Sequence, residues 1–93
     1  MTDDVELDAG RRAQLMAIVE RLARRYAGNG FRHPRVAALV VTLRGLDGVD
    51  RATWAAQLGI SESDLADAES GRTAAGDLDE RLIRHAAAVG LPI

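Results

Sequence analysis

Arg51-Ala-Thr-Trp-Ala-Ala-Gln-Leu-Gly-Ile-Ser-Glu-Ser-Asp-Leu-Ala-Asp-Ala-Glu-Ser-Gly71 is the stretch that decides how this chain folds. Trp54, Ala55 and Leu58 make one apolar stripe at helical spacing, and Leu65 with Ala68 makes another. Gly59-Ile60-Ser61 lies between them. Glycine ends a helix readily because it accepts left-handed backbone, and serine starts one because its hydroxyl accepts an unpaired N–H of the first turn. The stretch therefore predicts two short helices joined by a tight turn. Asp50 is the expected cap of the first helix, Ser61 of the second with Asp64 at the box position, and Gly71 the expected stop. The second helix carries Glu62, Asp64, Asp67 and Glu69 and no Lys or Arg. Any partner it meets has to accommodate those acids.

Outward from this stretch, three more helices are expected. Leu15, Ile18, Val19, Leu22 and Tyr26 fall on one stripe of a helix over 9–28, with Asp8 as its N-cap and Gly28-Asn29-Gly30 as its stop. Glu20 and Arg24 are spaced for an i,i+4 pair within it. A second helix opens at Pro34, whose fixed φ and missing N–H suit a first turn, and buries Val36, Leu39, Val40 and Leu43. Val40-Val41-Thr42 is rich in β-branched residues, but no partner strand is visible elsewhere, so helix is the reading. A last helix is expected from an Asp77/Glu80 box, with Leu78, Leu82, Ile83, Ala86 and Val89 inward and Gly90 and Pro92 closing it.

The prediction is one all-α domain over 1–93, a compact bundle of five helices: an acidic arm over 1–8, an added N-terminal helix over 9–28, and a core over 34–91. An apolar content of 47% is enough for a folded core, and few aromatics with much Ala favour close helix packing. There is no Cys, which excludes disulfides, thiolate metal sites and Cys nucleophiles. The longest apolar run, Val36 to Leu43, is far short of the roughly 20 residues a bilayer needs, so no membrane is expected. The acidic start does not resemble a signal peptide, and the expected location is the cytoplasm.

A net charge of −2 conceals an asymmetry. Residues 1–8 hold four acids and no base, residues 9–44 hold eight Arg against Glu20 alone, and residues 45–93 hold four Arg against nine acids. Such polarity steers a charged partner or a second copy of the chain, although Arg also simply coats helix surfaces. Arg21, Arg24 and Arg25 form a basic auxiliary surface along the first helix.

From Leu43 to Leu91 the chain resembles the Cro/repressor-type, or Xre-like, helix-turn-helix family. Trp54-Ala55…Leu58-Gly59-Ile60-Ser61 stands where that family has its Leu-Ala…Leu-Gly-hydrophobic-Ser run. Leu65, Ala68, Glu69 and Gly71 match the hydrophobic, hydrophobic, Glu and Gly positions after the turn, and His85-Ala-Ala-Ala-Val-Gly-Leu91 is similar to the closing helix. The resemblance implies a lambda repressor-like fold and a small transcriptional regulator that binds double-stranded DNA. It implies that Arg51 meets a phosphate at a helix N-terminus, that Glu62, Ser63 and Asp67 stand at the reading positions, and that Arg72 is a backbone contact. It also implies an ion pair between Arg44 and Glu69 beneath the second helix of the motif. The family's usual further helix has no counterpart before Ile93, while the added N-terminal helix precedes the motif.

Acids at reading positions can accept from cytosine, yet several on one short helix meet a polyanion unfavourably. The alternative expectation is therefore a protein-interaction module on a repressor-like scaffold, or a homodimer. No enzyme, cofactor or metal is expected. His33 and His85 lack carboxylates at ligand spacing, Ser61, Ser63 and Ser70 lack an arranged base, and Trp54 reads as a core anchor.

Overall fold

The computed structural model describes residues 2–91, with side chains from residue 10 onward. Among these residues the chain is all-α: α1 (Thr2–Gly28), α2 (Pro34–Asp47), α3 (Arg51–Leu58), α4 (Glu62–Glu69) and α5 (Glu80–Ala88), with a 3-10 turn at Ala75–Asp77 before α5. Pro92 lies outside the described residues.

α2 is the central helix. Val36, Ala37, Ala38, Leu39, Val40, Thr42 and Leu43 are all buried on it, more than one stripe can supply, because α1 and α4 both pack against it. Ala37 and Ala38 have no exposed surface, so small side chains let the neighbouring backbones approach. The β-branched run is helical, and the Thr42 hydroxyl is satisfied by donating to the Ala38 carbonyl at 2.7 Å. Leu15 and Val19 of α1, Trp54 and Ala55 of α3, Leu65 and Ala68 of α4, and Leu82 and Ala86 of α5 complete the core.

Five expectations are corrected. α1 starts at Thr2, so Asp8 lies inside the helix rather than at its N-cap. No breaker precedes Gly10, and acids near a helix N-terminus are favoured by the macrodipole. Ile18 belongs to the expected apolar stripe but is 42% exposed, because it turns to the flank of α1 away from α2. Glu20 pairs with Arg35 of α2 instead of Arg24 one turn on. The last helix starts later than the Asp77/Glu80 box implies. Backbone at Leu78 and Asp79 is extended, which buries Leu78 in the connection and makes Asp79 the cap, accepting from the Arg81 N–H at 2.9 Å. Val89, expected inward, follows α5 and is 38% exposed.

Candidate nucleic-acid interface

The unit formed by α3, its turn and α4 is built from local hydrogen bonds. Asp50 accepts the Thr53 N–H at 2.7 Å and so caps α3. Those hydrogen bonds hold the Asp50 carboxyl below the ordinary carboxylate range, and the nearby Arg44 charge adds to the effect. Gly59 adopts φ +75° and closes α3, with the Ile60 N–H reaching back to the Ala55 carbonyl at 3.1 Å and the Gly59 N–H to Ala56 at 3.3 Å. This is a Schellman closure. Ser61 then accepts the Asp64 N–H at 3.0 Å to start α4. α4 ends in the same way: Gly71 has φ +74°, the Arg72 N–H bonds the Asp67 carbonyl at 2.9 Å, and the Gly71 N–H bonds Ala68 at 3.2 Å. The backbone at Arg72 is thereby fixed relative to α4.

Beneath α4 lies Glu69, whose side chain is only 5% exposed. Arg44 donates to its Oε1 from Nε at 3.0 Å and from Nη2 at 2.8 Å. Arg51 donates from Nε to the other oxygen, Oε2, at 3.2 Å. Arg44 also reaches the Val49 carbonyl at 3.3 Å. One buried carboxylate thus joins α2, α3 and α4, and no buried side-chain polar atom among the described residues lacks a partner. A buried charge is tolerated only when paired and hydrogen-bonded in this manner. Arg51 is therefore tied to Glu69, a bond that its position at the start of α3 did not announce. Its side chain remains 42% exposed.

Glu62, Ser63 and Asp64 are exposed on the first turn of α4, while Asp67 is half-buried. Arg72 lies 3.8 Å from the Asp67 carboxylate and keeps 77% of its side chain exposed. Arg72 shares a cleft with Arg32, a residue the motif does not indicate. The two arginines, with Gly30, Phe31, Ser70 and Gly71, line one cleft at the C-terminal end of α4. The fold brings them together because the α1–α2 connection docks there: the His33 N–H donates to the Gly71 carbonyl at 2.9 Å, and Phe31 stacks on Tyr26 with centroids 4.7 Å apart. Arg21, Arg24 and Arg25 are exposed on α1, whose principal neighbour is α2 rather than α4.

A second cleft, between α4 and α5, is acidic. Asp64, Asp77 and Asp79 line it above Ile60, Ala68 and Leu82. Asp79 is engaged by Arg81 at 3.1 Å, which lowers its carboxyl below the usual range. No salt bridge within the described residues holds Asp64 or Asp77.

His85 is not isolated in space. Its Nε2 is 2.9 Å from Asp47 Oδ2, the atom that also accepts from Trp54 Nε1 at 2.6 Å. Trp54 is wholly buried, as an anchor requires, and the imidazole meets it edge-on with centroids 5.9 Å apart. Among the described residues no group of three or more His, Asp or Glu is placed to hold a metal ion, and no helix is long and apolar enough to cross a membrane. Comparisons with protein-family models, curated proteins and solved structures give no match to this chain.

Proposed function

We propose that the chain is a small helix-turn-helix protein of the Cro/repressor type, a cytoplasmic transcriptional regulator that binds duplex DNA. α3 and α4 form the motif, and Arg32, Arg51 and Arg72 supply its phosphate contacts. The observation that carries this reading is the joint placement of Arg32 and Arg72 over one cleft beside α4. Two exposed guanidiniums at the end of the presented helix give the cationic contact that α4 lacks in its own sequence. Arg51 serves twice: Nε holds Glu69, and the rest of its half-exposed guanidinium stays at the N-terminus of α3, where a phosphate is favoured. Of the reading-position acids, Asp67 is partly offset by Arg72. Glu62 and the exposed, unpaired Asp64 on the same turn are the remaining charges against DNA.

A titration of labelled duplex of mixed sequence at low salt tests this. Binding that weakens on Arg51→Ala and tightens on Glu62→Gln supports the reading. No complex with the wild-type chain rejects it.

The acidic cleft favours a second reading, a protein-interaction module on the same scaffold. Asp64 and Asp77 over an apolar floor suit a basic side chain of a protein partner. In that case reversal of Asp64 and Asp77 to Lys abolishes partner capture, and the wild-type chain gives no DNA complex.

A further inference from the structure

We propose that a groove between α1 and the end of α5 docks an acidic, amphipathic helical segment of a protein partner. This does not rest on the DNA reading, and the groove shares no residue with the phosphate contacts assigned to Arg32, Arg51 and Arg72. Leu15 of α1, Leu46 near the end of α2, and Ala87 and Val89 at the end of α5 form its apolar surface. Leu46 is 37% and Val89 38% exposed, with Ala87 exposed beside them. Of the three large hydrophobic residues exposed among those described, two therefore converge on one concave site. The local backbone explains why Val89 stays outside the core. Gly90 takes φ +82°, a left-handed turn after which Leu91 is buried while Val89 is left on the rim. A lone exposed hydrophobic needs no explanation, but a concave cluster of them marks a contact surface.

Charge says what covers it. Arg11 and Arg12, both exposed, are the charged residues that line the groove, and no carboxylate among the described residues lines it. No ion pair within the described residues holds either arginine. A glycine places Arg12: its Nε lies 2.9 Å from the point that a Cβ on Gly90 would occupy, so the side chain rests against the backbone just past α5. Asp47, the acid next to Leu46, is turned to Trp54 and His85 instead. A cationic rim over an apolar floor is complementary to a segment with apolar residues on one stripe and carboxylates beside it. The described residues offer no strand edge to extend, so the mode is a helix laid in a groove. An apolar side chain of the partner seats between Leu46 and Val89, and a flanking carboxylate meets Arg11 or Arg12. The same rim repels a basic segment. Nucleic acid offers phosphates but no apolar stripe for Leu46 and Val89.

A synthetic probe tests this: a fluorescein-labelled amphipathic peptide of about 14 residues, four helical turns, with Leu on one stripe and Glu on its flanks. Binding to the full chain is followed by anisotropy and mapped by amide chemical shifts. The acidic peptide is expected to bind, to shift the amides of Leu46 and Val89, and to bind less tightly as salt rises. Leu46→Ser/Val89→Ser and Arg11→Glu/Arg12→Glu are each expected to weaken it by about tenfold or more. A second peptide with Lys in place of Glu is expected to bind wild type about tenfold or more below the first, and to bind Arg11→Glu/Arg12→Glu better than wild type. Circular dichroism shows whether each variant keeps its helices. If the serine variant does not, the arginine variant, which alters only exposed side chains, carries the test with the two peptides. No binding of the acidic peptide, equal binding of the two peptides, or shifts confined to other elements would overturn the proposal. Wild-type self-association that Leu46→Ser/Val89→Ser abolishes would give the groove to a second copy. Contacts from the chain's own termini to Leu46 and Val89 would give it to this chain, and displacement of the peptide by duplex DNA would give it to nucleic acid. Each of these three results overturns the proposal as well.

Discussion

Arg51 donates its Nε to Glu69 Oε2 at 3.2 Å, although the two residues open and close a pair of successive helices. With Arg44 on the other oxygen, the Glu69 carboxylate fixes where α4 sits on α2 and α3. Glu69→Gln is expected to lower stability by about 1.5–3 kcal/mol, the range for hydrogen bonds to charged groups. Arg44→Ala is expected to cost more than Arg51→Ala, since Arg44 makes two bonds to the carboxylate from a less exposed position. Urea unfolding of the three variants checks the order. Equal and negligible losses would mean that Glu69 is not a brace.

Asp47 makes a different junction, joining the end of α2 to Trp54 and His85. Asp47→Ala leaves the Trp54 indole N–H without its acceptor, which is expected to cost roughly 1–3 kcal/mol. His85→Ala keeps the bond to Trp54 and is expected to cost less. Thermal unfolding followed by tryptophan fluorescence distinguishes the two.

Much of the fold was legible because it rests on local chemistry. Asp50, Gly59, Ser61 and Gly71 each announce a helix end through a cap or a positive-φ requirement that depends on few neighbours. The Arg44–Glu69 contact followed from a family resemblance, whereas the bond from Arg51 to the same carboxylate did not. Arg32 shares a cleft with Arg72, 40 residues on, and Asp47 meets His85, 38 residues on, and no periodicity encodes either meeting. Ile18 misled because a helical stripe states which residues share a side and not how wide a neighbour covers it. The Asp77/Glu80 box failed because burial of Leu78 moved the helix start to follow Asp79.

Gly71 and Gly48 separate backbone strain from crowding. Both have positive φ, at +74° and +69°, so alanine is strained at either by about 1 kcal/mol. At Gly48 the new Cβ enters open space, whereas at Gly71 it would lie 2.9 Å from Phe31 Cδ2. Gly71→Ala is therefore expected to destabilise more than Gly48→Ala and to disturb the Phe31–Tyr26 stack. Chemical denaturation gives the ranking, and chemical shifts of the two rings report the disturbance.

Asp50 and Asp79 give the chain an acid-sensitive component. Both carboxyls are held below their ordinary value by hydrogen bonds made only in the folded state. Their contribution is complete above about pH 4, the unfolded value, and is lost as pH falls through the lower folded values. Asp50→Asn/Asp79→Asn keeps two cap acceptors but removes two titrations. The double variant is expected to lose stability less steeply than wild type below about pH 4. Identical acid limbs would contradict the cap assignments.

The most direct test of the DNA reading is the salt dependence of duplex binding, measured by fluorescence anisotropy for wild type and for Arg32→Ala/Arg72→Ala. The wild-type affinity is expected to fall linearly on a log–log plot between about 50 and 200 mM salt. The double variant should bind more weakly, with a slope shallower by about two, one for each phosphate contact removed. A wild-type chain that binds no duplex at low salt, or a double variant with an unchanged slope, would contradict the claim that these two arginines hold DNA beside α4.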